Sequence, residues 1–233
     1  MNPCVIIDPR LPMEIIKNLQ ISGFSTITAP LTELVDTPLS GHPDIQMFIH
    51  KDNLFVHPDI GLPFLNKIER YVNIIICSTK LQNIYPGDIP YNIACTGTAA
   101  LHKKESTDKT IANYLLINKI EIFNTKQGYS KCSTLIVDDS SIITSDKAIN
   151  LSAGKAGIDT LLITEGYIDL PGYNYGFIGG ASGRFLDTIY FTGSINHHPD
   201  REKIKHFVER KGMHIKILSD QKISDAGSLF FIG

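Results

Sequence analysis

Three groups of residues in this 233-residue chain have the types and spacing to do chemistry. The first is His42-Pro43-Asp44, an imidazole and a carboxylate two positions apart. The triplet His-Pro-Asp recurs at His57-Pro58-Asp59 and His198-Pro199-Asp200, where it directly precedes expected helices and suits a helix start. The copy at 42–44 precedes a hairpin instead, so capping does not account for it. His42 and Asp44 are therefore candidates for a pocket, set against a plain turn role.

The second group is Lys131-Cys132-Ser133. A thiol beside an amine has the make-up of an activated nucleophile, with His42 as its possible base. On a strand, however, neighbours point to opposite faces, and a buried inert cysteine is the competing reading of Cys132. The third is Tyr175–Gly183, with four glycines in nine residues. No Lys-Ser/Thr follows and no helix opens directly, which excludes a phosphate loop. Either backbone around Gly179, Gly180 and Ser182 meets a ligand, or the glycines permit close packing. His197-His198 with Asp200 lacks a third ligand at metal-site spacing, so no metal site is expected. Asp138-Asp139 reads as a hairpin turn before it reads as an acid/base pair.

The elements that must carry these residues follow a repeat. Helical patterns fall at 11–22, 61–71, 107–118, 146–156 and 199–211, each followed by a short β-rich run: 24–29, 73–78, 120–124, 158–164 and 214–218. Hairpin-like stretches precede the last four helices at 46–57, 93–103, 133–145 and 175–192, the last with its turn at Ser182-Gly183. The unit is strand, strand, helix, strand. Residues 4–8 supply only one strand before the first helix, and 228–232 form a strand with no helix after it. If these two pair, five units close into a ring with no free inner edge. A doubly wound parallel sheet is the rival, but it requires single strands between helices.

Composition narrows the function classes. The chain is 42% hydrophobic and 20% charged with mean hydropathy +0.01, and 22 Lys+Arg against 24 Asp+Glu give a net charge of -2. That is a globular composition, expected as one domain over 1–233, with no overall basic field to hold nucleic acid or an anionic membrane. No apolar run approaches a membrane span and the first residues lack a signal-peptide pattern, so a cytoplasmic protein is expected. Cys4, Cys77, Cys95 and Cys132 never form a CxxC pair and read as reduced thiols.

Five such units in a ring resemble the pentein, or α/β-propeller, fold of the guanidino-group-modifying enzymes. In that family a His-Leu-Lys/Asp-Ser motif opens the fourth unit, and Tyr129-Ser130-Lys131-Cys132 resembles it, keeping Lys131 but placing Tyr129 where the general-base histidine belongs. The family's C-terminal Asp-Gly-Gly-x-x-Cys resembles Asp225-Ala226-Gly227-Ser228-Leu229-Phe230, with Phe230 or Phe231 in the thiol's place. The acidic Glu-Gly-Gly-Asp signature is replaced by Ala94-Cys95-Thr96-Gly97. Phe48, His50, Lys51 and Asp52 are similar to a Phe-x-Arg-Asp substrate loop.

The resemblance implies a branch without the usual catalytic Cys and His. Attack on a guanidinium carbon needs a thiolate, a proton donor and carboxylates, and two of those roles are vacant. The expectation is a protein that binds a small polar or zwitterionic, amino-acid-like ligand in a central pocket, with no cofactor and no guanidino-hydrolase activity. Candidate ligand contacts are His42, Asp44, Lys131, Ser133, Gly179, Gly180 and Ser182. The alternatives are a cysteine-dependent hydrolase of amidine or amide substrates built on Cys132 and His42, and a non-catalytic protein-binding scaffold, for which ribosome anti-association factors of this fold are a precedent.

Overall fold

The computed structural model describes residues 2–233. Along the chain run β1 (Cys4–Ile7), α1 (Met13–Ile21) and β2 (Ser25–Thr28), then a one-turn α2 (Pro43–Gln46). Next come β3 (Met47–His50), β4 (Asn53–Val56), α3 (Leu62–Ile68) and β5 (Asn73–Ile76), followed by β6 (Ala94–Cys95), β7 (Ala99–His102), α4 (Lys109–Ile117) and β8 (Glu121–Asn124). The fourth unit is β9 (Thr134–Asp138), β10 (Ser141–Thr144), α5 (Lys147–Lys155) and β11 (Asp159–Leu162). The fifth is β12 (Ser182–Phe185), β13 (Thr188–Phe191), α6 (Arg201–Arg210) and β14 (His214–Ile217), and β15 (Phe230–Ile232) ends the chain.

These strands make five discrete three-stranded sheets, and none is closed on itself. In each, two inner strands pair antiparallel and the strand after the helix adds in parallel, as β3-β4-β5 shows with Phe48↔Phe55 and Phe55↔Ile75. The helix therefore serves as the crossover that a parallel neighbour requires. Both ends of the chain complete one sheet: β15 runs antiparallel to β1 with Cys4↔Ile232, Val5↔Phe231 and Ile6↔Phe230.

The apolar residues gather into five clusters, each shared by two sheets. Met47 and Leu54 pack with Cys4, Ile6 and Ile232; Phe48 and Phe55 with Ala100 and Ile111; Leu101 with Ile142 and Ile149; Leu135 and Ile143 with Ile189 and Phe191. The fifth joins Val5, Ile7 and Leu19 to Leu218 and Leu229. Each sheet thus buries its two faces against different neighbours, which explains the runs of apolar residues on the inner strands.

Three helices, α4, α5 and α6, start on acidic residues that also fasten one unit to the next. Asp108 caps α4 by accepting from Thr110 N at 2.8 Å and Ile111 N at 3.3 Å, and its other oxygen takes Ser78 N, Ser78 Oγ and Thr79 N just beyond β5. Asp146 caps α5 and accepts from Gln127 Nε2, while Asp200 at the start of α6 reaches back to Thr164 N and Oγ, both at 2.7 Å.

Two local expectations are corrected. The turn of the last hairpin is at Leu186-Asp187, where Leu186 has φ +52°, whereas Ser182-Gly183 begins β12. Gly176, Gly179 and Gly180 precede the strand, where the chain passes close to Asp225 and to the backbone of Lys131 and Thr134 before pairing starts. His42-Pro43-Asp44 does open a helix after all, since His42 is the N-cap residue of α2 with Pro43 at its first position, although no side chain caps it. Among the described residues no helix is long and apolar enough to cross a membrane.

Candidate functional site

The single turn of α2 is short, and its register drives Asp44 to full burial between the inner strands. There the carboxylate meets the segment ahead of β9 and the segment ahead of β15. Asp44 Oδ2 lies 2.6 Å from Ser228 Oγ, which accepts from Lys131 Nζ at 2.9 Å, and Asp44 Oδ1 accepts from Cys132 Sγ at 3.2 Å. Lys131 Nζ also points to Gly179 O at 3.5 Å. Ser228 achieves this in the left-handed region at φ +72°, a cost a non-glycine side chain bears only where its surroundings hold it.

Asn92 is the buried organiser of the cluster. Its Oδ1 accepts from Lys131 N at 2.7 Å and Cys132 N at 3.1 Å, and its Nδ2 donates to Asp44 O at 2.9 Å and Cys132 Sγ at 3.0 Å. Asp225 completes the group, accepting from Phe177 N at 2.9 Å and Gly227 N at 3.0 Å. A Cβ at Gly180 would collide with the Asp225 carboxylate, and one at Gly227 with His42, so these two glycines are required by close approach. The His42 ring is buried between two acids, Nδ1 3.9 Å from Asp225 Oδ1 and Nε2 4.0 Å from Asp8 Oδ2, with Nδ1 lacking a hydrogen-bond partner.

The electrostatics set the thiol's state. Burial, reinforced by Asp44 and Asp225, pushes the Cys132 pKa well above the ordinary thiol range, so the sulfur keeps its proton and donates it to Asp44. Burial lowers the Lys131 pKa against the pull of Asp44, and burial raises that of Asp225 despite His42. All four cysteines are free.

Besides a cavity of about 320 Å³ lined by Asp8, Arg10 and Asp225, two cavities meet the cluster. One of about 270 Å³ has Asp225 and Cys132 on its floor and Tyr129, Tyr173, Tyr175 and Phe177 in its walls. Tyr129 OH donates to Asp88, and Tyr173 OH donates to Asp36 at 3.1 Å, so the rim is acidic as well as aromatic. The other, about 160 Å³, is lined by one strand of every sheet, through Phe48 of β3, Cys95 of β6, Leu135 of β9, Gly183 of β12 and Phe230 of β15, together with Lys131.

The family described as "Family of unknown function (DUF6873)" matches residues 6–230. The chain belongs to the DUF6873 family. Comparison with curated proteins finds no match. Among solved structures, this DUF6873 chain is similar to DDAH from Pseudomonas aeruginosa in complex with citrulline, at 9% identity and TM-score 0.56, covering 97% of this chain and 93% of that one. It is similar to C. jejuni agmatine deiminase at 10% identity and TM-score 0.53, over 96% of this chain and 75% of the deiminase. It is also similar to SxtG, an amidinotransferase from Microseira wollei, at 10% identity and TM-score 0.53, over 97% and 88% of the two chains. At these identities the likeness is one of fold, and the fold is that of the guanidino-modifying enzymes.

In the DUF6873 chain the structure brings His42, Asp44, Lys131, Cys132, Gly179 and Gly180 to one cluster. Ser133 is buried beside it with its hydroxyl unpartnered and its carbonyl held by Thr144 Oγ1, and Ser182 donates to Ile178 O at 2.7 Å while lining the smaller cavity. His198 is structural, with Nε2 3.1 Å from Thr164 O and Nδ1 accepting from Asp200 N. The residues absent from the sequence-based site are Asn92, Asp225, Ser228 and the rim tyrosines. Asp225 and Ser228 had a signal in the segment 225–230, whereas Asn92 and Tyr173 had none, being an ordinary loop amide and a loop aromatic until the fold places them.

Proposed function

We propose that this protein binds a small polar, amino-acid-like ligand at the centre of a ring of five sheets, and that it does so without the thiolate chemistry of guanidine hydrolysis. The ring is supported by the five apolar clusters, which link the sheets pairwise with the fifth shared back to the first, and by a cavity touched by one strand of every sheet. The observation that carries the binding reading is the buried Asp225 carboxylate on the floor of an aromatic-walled cavity. A desolvated acid beneath aromatic faces favours a cationic head group such as an ammonium or amidinium, while the remaining polar atoms of a zwitterion stay toward the rim. Asp44 and Lys131 serve this site from behind: joined through Ser228, they form the charged partition that holds the floor in place.

The hydrolase alternative meets a physical obstacle, because a thiol buried against two carboxylates is kept protonated. The proposal is tested by thermal shift with a panel of ornithine, arginine, agmatine and citrulline. At least one cationic member is expected to raise the melting temperature of the wild type. Tyr173→Ala, at a half-exposed wall residue, is expected to keep the ligand-free melting temperature and lose that shift. If no cationic compound stabilises the wild type, or if Tyr173→Ala retains the whole effect, the site is elsewhere.

A further inference from the structure

The geometry points to a reactive site separate from the proposed binding site, in which the Lys131 amine captures a short aliphatic aldehyde as an imine. The smaller cavity, about 160 Å³, is lined by Phe48, Ile93, Leu135 and Phe230, and its two cationic side chains are Lys131 and Arg184, the latter paired with Asp139 at 3.0 Å. Lys131 Nζ lies 5.9 Å from the centre of the Phe230 ring and 2.9 Å from Ser228 Oγ. A lysine desolvated in an apolar pocket holds its proton less tightly and becomes a nucleophile for carbonyl carbon. The apolar lining together with the Arg184 guanidinium selects against the cationic ligand of the tyrosine-lined cavity, so this inference does not depend on the reading of that cavity.

The cluster supplies the proton path. The Lys131 ammonium releases one proton to Asp44 by way of the Ser228 hydroxyl, which sits 2.6 Å from Asp44 Oδ2. The freed nitrogen lone pair then forms a C–N bond to the aldehyde carbon while the C=O π pair moves to oxygen. One nitrogen proton transfers to that oxygen, giving a neutral carbinolamine. Return of the proton from Asp44 lets the hydroxyl leave as water, and the C–N bond becomes a protonated C=N. One ammonium and one aldehyde give one iminium and one water, with no oxidant or reductant. The positive charge stands opposite an ionised Asp44 at the start as the ammonium and at the end as the iminium, whereas a carboxylate ligand would bring a further anion toward Asp44 and Asp225.

Isobutyraldehyde with cyanoborohydride at neutral pH traps such an imine as a stable amine, and a peptide map reads its position. Lys131 is expected to be alkylated at least several-fold faster than Lys80 and Lys203, whose side chains are 69% and 68% exposed. Anthraldehyde, too large for the cavity, is expected to label Lys80 and Lys203 and leave Lys131 unmodified. The rate at Lys131 is expected to level off at a lower pH than the rate at Lys80, a readout on folded wild-type protein that needs no substitution. Labelling of Lys131 no faster than the exposed lysines, or equal labelling by the bulky aldehyde, overturns the inference. Ser228→Ala should slow the Lys131 reaction specifically, and an unchanged Lys131 rate in a folded Ser228→Ala protein would remove the proton path.

Discussion

At Asp225, burial pushes the carboxyl pKa up while His42 and the amides of Gly227 and Phe177 pull it down, and burial prevails. That balance gives the ligand reading a pH signature. A cationic ligand favours the ionised acid, so below the raised pKa of the free protein, binding must expel a proton. Affinity is therefore expected to be full at alkaline pH and to weaken by up to about tenfold per pH unit as the solution is acidified through that pKa. Calorimetric Kd values from the most acidic pH at which the protein stays folded up to alkaline pH, measured in buffers of different ionisation enthalpy, check this, and constant affinity with no proton release would remove Asp225 from the binding site. The neighbouring Cys132 shows the same physics with another result: the acids that would welcome a cation deny the sulfur its anionic form.

At the scale of elements, acidic residues at helix starts link consecutive units. Asp108 is the fullest case, capping α4 and holding the chain beyond β5; burial raises its pKa, but hydrogen bonds from Thr79 and Thr110 outweigh that and bring it down to about 2. Asp108→Ala should destabilise the protein by roughly 2–3 kcal/mol, more than an isolated cap, because amides of two elements lose their acceptor together. Chemical denaturation of the variant checks the value, and a loss below about 0.5 kcal/mol would show the link to be idle. The strand-strand-helix-strand repeat was legible because each unit carries its own apolar alternation and turn residues, so local pattern and tertiary role coincide. The hairpin turn at Leu186-Asp187 was not, since the glycines at 179–183 look like a turn and are instead spaced for backbone passing Lys131 and Asp225. Of the site, His42, Asp44 and Lys131 could be picked out by residue type and spacing. Asn92 could not, because its role is created by three backbone segments that meet only in the folded chain.

For the whole molecule, β15 is the element with the most depending on it. Leu229, Phe230 and Ile232 fill two of the shared clusters, and the ladder to β1 joins the two ends of the chain. Deleting residues 228–233 should lower the melting temperature steeply or cause aggregation, as β1 gains a free edge and two clusters open at once. Retention of the wild-type melting temperature would argue against a ring that depends on this pairing.

One proton NMR time course with agmatine tests the proposed binding without turnover most directly. Agmatine signals are expected to show saturation transfer from the protein, while no product of guanidine hydrolysis accumulates over a day. Steady formation of such a product by the wild type, abolished in Cys132→Ala, would contradict it.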